Sequence, residues 1–427
     1  MIGTALVLLL VLMALAIPVA ASLGVLALFL EAIFSQLPLT RAIGEVTWSA
    51  SNEFLLVSVP LFILLGEILL RSGFAERMYG ALIKWVSWLP GGLMHSNIAA
   101  CGLFAATSGS SVATAATVGT VALPAARRYG YNERLFLGTL AAGGTLGILI
   151  PPSINMIVYA VLTNTSVPQL YLAGIMPGIA LVGLFMLTVV ILCLIKPAWG
   201  GQRLTASWRE RAASLPHLLP PLGIFLVVVG SIYAGIATPT EAASLGVVAS
   251  LALAWQAGKL SIKMLREAIE GTMRSTAMVM LIVLAAYFLN FVISAIGLTT
   301  QLTGFIEGLG FSPMWMLLAV VVFYVILGCF METLSMMITT IPIIAPVMFK
   351  LGFDPVWFGI IVIVLIETAL VTPPVGLNLF VVQNLRKSGS LNDVIIGSLP
   401  FVLALFVLLA VLAFFPGLAL WLPQQFK

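Results

Sequence analysis

Two short clusters of small, polar and helix-breaking residues constrain this chain most, because each interrupts a long apolar stretch. The first spans residues 106–117, where serine, threonine, glycine and alanine predominate, and the second spans 143–153 and ends in Pro-Pro-Ser. A bilayer core offers no water to backbone amides and carbonyls, so broken helices are tolerated there only where protein buries them or where they line a cavity. The two clusters therefore predict a binding site at membrane depth.

Composition places the chain among polytopic helical membrane proteins. Of its 427 residues, 61% are hydrophobic and 8% are charged, and the mean hydropathy is +1.18. A soluble core cannot use that much apolar surface. The three cysteines and two histidines are too scattered to indicate a disulfide framework or a metal cluster. The sequence also lacks GxxxxGK[ST], which argues against nucleotide hydrolysis through a P-loop.

The second half of the chain repeats the first at an offset of 222 residues. Residues 20–25, Ala-Ala-Ser-Leu-Gly-Val, recur unchanged at 242–247. Other landmarks share this register: Pro124 with Pro346, Gly130 with Gly352, Tyr131-Asn132 with Phe353-Asp354, and Pro151-Pro152 with Pro373-Pro374. A gapless register of this kind predicts two structural repeats, which we place at 1–212 and 213–427.

Each repeat is predicted to contain a re-entrant hairpin followed by a broken helix. The hairpins lie at 92–126 and 313–350, with tips near mid-membrane, and the broken helices lie at 133–163 and 354–386. Residues 73–89 alternate charged and apolar residues with helical spacing, which predicts an arm helix lying along the interface in contact with membrane lipid. A shorter counterpart is expected at 299–309.

Continuous apolar runs predict the remaining spans. Runs at about 3–17, 18–34 and 53–70 in the first half correspond to runs at about 216–238, 239–257 and 274–298 in the second. Uninterrupted spans are expected at 169–195 and 393–422. Thr238-Pro-Thr-Glu241 has the pattern of a helix start, with threonine as N-cap and proline at the first helical position.

The basic residues indicate how the repeats are oriented. If each hairpin re-enters the membrane, the clusters at 71–84, 127–134, 196–211 and 259–274 all lie on one side. The positive-inside rule assigns that side to the cytoplasm. Each repeat then crosses five times, an odd number, so the two repeats are inverted and both chain termini are periplasmic.

Four passages, in order, resemble the large membrane subunit of tripartite ATP-independent periplasmic (TRAP) transporters. They are Leu89-Pro-Gly-Gly-Leu93, Ser108-Gly-Ser-Ser111, Gly147-Ile-Leu-Ile-Pro-Pro-Ser-Ile154 and Glu367-Thr-Ala-Leu-Val-Thr-Pro-Pro-Val-Gly-Leu-Asn-Leu-Phe380. The resemblance runs essentially end to end, and the last passage is the most specific. It implies an elevator-type secondary transporter coupled to Na⁺. It also implies a small four-helix membrane partner and a periplasmic binding protein that delivers the solute.

Sodium is a hard cation that prefers oxygen ligands, and unwound backbone supplies them without a buried fixed charge. The resemblance implies a sodium site in each repeat, and the individual ligands are our inference from the residues. The first-half candidates are Ser108, Ser110 and Ser111 at the hairpin tip, with carbonyls of Gly147, Ile150 and Pro152 at the break. The second-half candidates are Glu332, Thr333 and Ser335, with carbonyls of Ala369, Thr372 and Pro374.

A small polar solute is expected between the two hairpin tips. Helix N-termini there favour negative charge, yet no arginine falls within either tip or break. A carboxylate and a zwitterion therefore both remain open. The candidate solute-binding residues are Thr107, Ser110, Asn155, Ser335 and Asn378.

Two acids within apolar segments have open roles. Glu332 and Glu367 could ligate sodium, accept a proton or brace the hairpin backbone, because an intramembrane acid is costly unless it is paired or hydrated. The alternative to a binding-protein-dependent importer is a stand-alone ion-coupled anion transporter or antiporter of related inverted-repeat fold. A membrane enzyme is disfavoured, because these acids and the scattered histidines form a poor acid–base set.

Overall fold

The computed structural model describes residues 1–15, 17–202, 204–298, 300–301, 304, 312–328, 331–373, 376–386 and 389–426. These residues form helices and connecting turns, with no β-strand among them. The first-half helices are α1 (Ile2–Ala14), α2 (Val19–Phe34), α3 (Ile43–Ser51), α4 (Ser58–Arg71), α5 (Phe74–Val86), α6 (Leu93–Ser108), α7 (Ser111–Arg128), α8 (Glu133–Leu149), α9 (Ile154–Thr163) and α10 (Val167–Ile195).

The second half follows a similar order. Its helices are α11 (Trp208–Ser214), α12 (Leu219–Tyr233), α13 (Pro239–Gln256), α14 (Ile262–Ala295), α15 (Pro313–Leu327), α16 (Thr333–Lys350), α17 (Pro355–Val371), α18 (Leu377–Arg386), α19 (Leu391–Phe414) and α20 (Gly417–Gln425). Five helices of the described chain are long and apolar enough to cross a membrane, or up to seven if each bent pair is one span. The all-helical, membrane-spanning class predicted from composition is confirmed.

The first hairpin is formed by α6 and α7, which are joined by a two-residue tip. Gly109 at the tip has φ +60°, a left-handed conformation that a residue with a Cβ rarely adopts. Ser110 is extended, and its hydroxyl accepts a hydrogen bond from the amide of Ala113, so it caps α7. The Ser-Gly-Ser-Ser sequence thus ends one helix and starts the next within two residues.

The first broken helix is α8 followed by α9, which are bent by 43°. Pro151 and Pro152, joined by a cis peptide bond, lack the amides that would continue the helix. Ser153 then caps α9 by accepting from the amide of Met156. Three consecutive residues, 151–153, therefore end the first segment and start the second.

Helix boundaries in the second half follow the sequence register closely. Both ends of α7 and α16 differ by the offset of 222, and so do both ends of α8 and α17. The second hairpin, α15 and α16, and the second broken helix, α17 and α18, occupy the corresponding places in the chain. The opposite orientation of the two repeats in a membrane, and the division at residue 212, stay predictions.

The arm helix is shorter than its predicted range, because α5 begins at Phe74 and ends at Val86. Its apolar side is buried, as at Met78 and Leu82, whereas Glu76 and Lys84 are exposed. The buried side packs on α6 and α7 of the first hairpin. Most of its expected counterpart at 299–309 lies outside the described residues.

Two predicted spans differ from the structure. The helix expected at 393–422 ends at Phe414, and α20 starts at Gly417, because Pro416 has no amide to continue the helical ladder. The run expected at 274–298 belongs to a helix that already begins at Ile262. Charged residues in its first turns, such as Arg266 and Glu270, hid that beginning, although they form an exposed i,i+4 ion pair that suits a helix.

The broken helices of the two halves hold each other at three levels. On α9, the Tyr159 hydroxyl donates to the carbonyl of Pro355 at the start of α17, at 2.7 Å. Midway along the broken helices, the side-chain amide of Asn378 donates to the carbonyl of Ala141 on α8, at 3.1 Å. At the other end Arg386 pairs with Glu133 of α8, at 2.8 Å.

Close backbone packing accompanies these contacts. Helix α8 packs along α19, where Gly138 faces the carbonyl of Gly397 so closely that a Cβ would not fit. The Arg386 guanidinium also binds Asp393 of α19, at 3.1 Å, and Arg134 binds the same carboxylate, at 2.9 Å. Helices from both halves therefore support the site described below.

This charged cluster generates a stability prediction. Arg386→Ala removes a guanidinium whose side chain is 8% exposed and leaves Glu133 and Asp393 close together without it. We expect the free energy of unfolding to fall by about 1–3 kcal/mol, because the charged hydrogen bonds from one largely buried guanidinium to two carboxylates are lost, while Arg134 still pairs with Asp393. Thermal unfolding of the purified protein in detergent measures the change.

The matched control is Arg266→Ala. Its ion pair with Glu270 is exposed on both sides, and exposed pairs contribute about 0–1 kcal/mol. Equal losses of thermal stability in the two variants would contradict the prediction that Arg386 holds α18 against α8 and α19.

Candidate solute and sodium site

The first hairpin tip is seated directly against the first helix break. A Cβ on Gly147, near the end of α8, would lie 2.7 Å from the carbonyl oxygen of Ser110. A Cβ on Gly109 would lie 2.9 Å from the carbonyl oxygen of Pro152. Gly66 of α4 approaches the carbonyl of Ser108 in the same way, at 3.2 Å. These glycines therefore let backbone of separate elements approach closely at the tip.

The hydroxyl groups of the first tip are largely engaged within the protein. Ser108 shares a hydrogen bond with Thr114, at 3.0 Å, and the Thr114 hydroxyl is also 2.7 Å from the Ser110 carbonyl. The Ser111 hydroxyl donates weakly to the carbonyl of Thr145 on α8, at 3.4 Å. Thr107 donates to the Phe104 carbonyl one turn earlier in α6. These bonds fix the shape of the tip.

The Pro-Pro break changes the hydrogen bonding of the preceding carbonyls. In a continuous helix the carbonyls of Gly147 and Ile148 would accept from the amides of residues 151 and 152, but both of those residues are proline. The two carbonyls thus lose their helical donors. Carbonyl oxygens of this kind are suitable ligands for a hard cation.

The second hairpin tip is capped by a carboxylate. Glu332 precedes α16, and its two oxygens accept from the amides of Leu334 and Ser335, both at 3.1 Å. The same oxygens accept from the hydroxyls of Thr333, at 3.1 Å, and Ser335, at 3.0 Å. A negative charge is favourable at a helix N-terminus, so Glu332 stabilises this tip.

The second break has a different local arrangement. The Thr372 hydroxyl donates to the carbonyl of Thr368, at 2.6 Å, and the Thr372 amide points to the carbonyl of Ala369, at 3.4 Å. Ala369 itself packs against Gly328 at the end of α15. Pro374, a predicted sodium ligand, lies outside the described residues.

A cavity of about 90 Å³ lies between the two tips and the two breaks. A second cavity of about 260 Å³ adjoins it on the side of the second tip, and the two share Glu332 and Thr333. The first is lined by Gly109, Ser110, Ser111, Val112, Ile148, Ile154, Asn155, Glu332, Thr333, Leu334, Leu370 and Leu377. Residues from both halves, polar and apolar, therefore meet at one small cavity among helices of membrane-spanning length.

The two asparagines next to the breaks have different environments. Asn155 lines the cavity, is 4% exposed, and has a side-chain nitrogen without a hydrogen-bond partner among the described residues. Asn378 is fully buried and binds the backbone of α8, although its side-chain oxygen has no partner there. Asn155 is thus placed to contact a ligand, whereas Asn378 connects the halves.

Glu367 lies away from the cavity lining. It is fully buried in α17 near the backbone of Leu149, and neither carboxyl oxygen has a hydrogen bond of good geometry within the described chain. It thus stands at the crossing of the two broken helices rather than at a tip.

The predicted site residues fall into two groups. Ser110, Ser111, Asn155, Glu332, Thr333 and Ala369 line the two cavities. The other described candidates do not line these cavities and lie elsewhere in the hairpins and broken helices: Thr107, Ser108, Gly147, Ile150, Pro152, Ser335, Thr372 and Asn378. The sequence did not single out the apolar lining, for example Ile148, Leu370 and Leu377, because one more apolar residue in an apolar chain carries no signal.

Comparison with known proteins agrees with this architecture. The family model described as the DctM component of tripartite ATP-independent periplasmic transporters matches residues 6–418. The chain is 35% identical over 385 residues to the C4-dicarboxylate TRAP transporter large permease protein DctM of Pseudomonas aeruginosa, with 90% of each chain covered. It is 31% identical over 392 residues to the ectoine/5-hydroxyectoine TRAP transporter large permease protein UehC of Ruegeria pomeroyi, with 91% of each covered.

A solved structure shares the fold. The YdaH transporter of Alcanivorax borkumensis superimposes with a TM-score of 0.67 at 19% identity, and the match covers 97% of this chain and 98% of that one. At this identity the likeness concerns the fold alone.

The family match spans nearly the whole chain. The related proteins named above are transporter permeases rather than enzymes. The chain therefore belongs to the DctM family, the large permease subunits of tripartite ATP-independent periplasmic transporters.

Proposed function

We propose that this chain is the translocating subunit of a sodium-coupled uptake system in the bacterial inner membrane. It imports a small organic acid or zwitterion that a periplasmic binding protein delivers, and it works with a small four-helix membrane subunit. The observation that carries the proposal is the cavity between the two hairpin tips and the two helix breaks. Unwound backbone at membrane depth is tolerated where it lines such a cavity.

Sodium coupling is supported by the kind of oxygen atoms at the first tip. Serine hydroxyls and the carbonyls of Gly147 and Ile148 lie around the junction of tip and break, and no acid or base is among the first-half residues that line the cavity. Neutral oxygens suit a hard monovalent cation that must bind and leave in every cycle. Sodium binding would hold the tip against the break.

The transport movement follows from how the elements are joined. The broken helices of both halves are connected by Asn378, Tyr159 and the Arg386 cluster, and the first tip is seated against the first break. In our proposal they move together as one body, an elevator, relative to α1–α4 and α12–α14. Both chain termini are periplasmic in this arrangement.

The relatives suggest two chemical classes of solute. The names of the two related permeases specify a C4-dicarboxylate in one case and ectoine, a zwitterion, in the other. Both solutes are small and polar, and each carries at least one carboxylate. We propose a solute of this range for this chain.

Uptake into proteoliposomes tests the proposal. The vesicles contain this chain and its small membrane partner, the binding protein is outside, and an inward sodium gradient is imposed. A panel of dicarboxylates, sugar acids and zwitterions is offered, and we expect uptake of at least one that requires both sodium and the binding protein. Uptake that persists without the binding protein would instead favour a stand-alone carrier.

Ser110 provides a prediction about the sodium site. Its hydroxyl caps α7 and the residue lines the cavity, so two substitutions are compared. Alanine is a poor N-cap, costing about 1 kcal/mol, whereas glycine costs only a few tenths. If the hydroxyl ligates sodium, Ser110→Ala and Ser110→Gly should both raise the sodium concentration for half-maximal uptake by roughly fivefold. An effect confined to Ser110→Ala would indicate capping alone.

Gly147 provides a prediction about the seating of the tip. Gly147→Ala puts a methyl group 2.7 Å from the backbone of Ser110, which forces the tip away from the break. We expect the initial uptake rate to fall roughly tenfold or more, since small misplacements at a binding site are costly. The control is Gly183→Ala in α10, where a Cβ has no neighbour within 4 Å. Normal uptake by Gly147→Ala would contradict the arrangement.

A further inference from the structure

The two hairpin tips have helix-cap residues at corresponding positions, and these residues differ in charge. Ser110 and Glu332 are related by the offset of 222, and each is the N-cap of the second helix of its hairpin. At one tip the cap is a neutral hydroxyl, and at the other it is a carboxylate. Two backbones of matching register therefore present different fields to the cavity that they share.

At the second tip, the first amides of α16 already donate to a side chain of the same hairpin. Glu332 accepts four hydrogen bonds from Thr333, Leu334 and Ser335. A carboxylate has about four acceptor positions, so these contacts fill them. The N-terminus of a helix corresponds to a charge of roughly +0.5, which the full charge of Glu332 exceeds. This wall of the cavity is thus electronegative.

The first-half wall has the opposite character. The first-turn residues of two helices line the cavity there, Ser111 and Val112 of α7 and Ile154 and Asn155 of α9. Amides in a first turn have no acceptor within their own helix. The Asn155 side chain adds a buried nitrogen that has no partner within the described residues and belongs to a residue that lines the cavity. This wall offers donors without an acid.

No lysine, arginine or histidine is among the described residues that line either cavity. The only fixed charge on these walls, within the described residues, is therefore that of Glu332. An anionic solute group would be repelled at the second tip and favoured at the first. The wider cavity, of about 260 Å³, also lies beside Glu332.

We propose that the site is polarised: a carboxylate of the solute binds the first-half wall, at Asn155 and the N-termini of α7 and α9, while Glu332 faces the solute's neutral or cationic end. Glu332 thereby disfavours a second anionic group. This inference rests on the proposed solute-transport function and adds the orientation of the solute and the selectivity for its charge. Glu332 is the residue that determines this selectivity, and its own hydrogen bonds position the tip.

Direct binding of two matched probes tests the inference. Succinate and succinamate have nearly the same shape, but one end of succinamate is an uncharged amide. Their dissociation constants are measured by isothermal titration calorimetry. The sample is this chain with its small membrane partner in nanodiscs, and sodium is present. We expect the wild type to bind succinamate more tightly than succinate.

Glu332→Gln should raise the affinity for succinate relative to succinamate by roughly tenfold, because it removes a like charge. Glu332→Asp keeps the charge and should leave the ratio of the two affinities unchanged. Asn155→Asp places a charge on the opposite wall and should weaken both probes.

Three results would overturn the polarised site. One is an unchanged succinate-to-succinamate ratio in Glu332→Gln, and another is tighter binding of succinate than of succinamate by the wild type. The third is the absence of binding of either probe to the wild type. Sodium-driven uptake by the same preparation, with the binding protein added, tests the transport function separately, so that either proposal can fail without the other.

Discussion

Helix ends inside a bilayer must find hydrogen-bond partners within the protein, and this requirement organises the molecule. The first tip supplies its own cap at Ser110, the second uses Glu332, and Ser153 caps the helix after the first break. Glycines let the tip and break backbones approach one another, as Gly147 does at Ser110. Since lipid cannot satisfy these groups, the tips and breaks can exist only where the surrounding helices enclose them. The cavity is what remains at their junction.

The enclosure depends on contacts between the two halves of the chain. Tyr159 reaches the start of α17 and Arg386 reaches the start of α8, so the second segment of each broken helix holds the first segment of the other. Asn378 adds a contact halfway between them. Because residues of both halves line the cavity, its walls are expected to keep their relative positions in the elevator movement that we propose. This physical reason favours a rigid moving body over independent motion of the two hairpins.

Similar backbones in the two halves carry side chains with different chemistry. Ser110 corresponds in register to Glu332, and Thr145 corresponds to Glu367. Both replacements put an acid in the second half where the first has a hydroxyl. Glu332 is integrated into a helix cap, whereas Glu367 lies fully buried where the broken helices cross. The two halves thus have similar backbone geometry, and in our proposal the different side chains at matched positions polarise the site.

The sequence by itself determined the helical membrane class, the hairpins, the breaks and the register between the halves. These features are local: apolar length, Pro-Pro pairs and Ser-Gly clusters act through hydrogen bonds within a few residues. It failed where a local signal was ambiguous, as at Pro416 within an expected span. Only the tertiary structure decided that Asn155 lines the cavity while Asn378 binds α8, and that Glu367 is buried where the broken helices cross. Those distinctions depend on which distant element lies opposite each side chain, and no spacing along one chain encodes that.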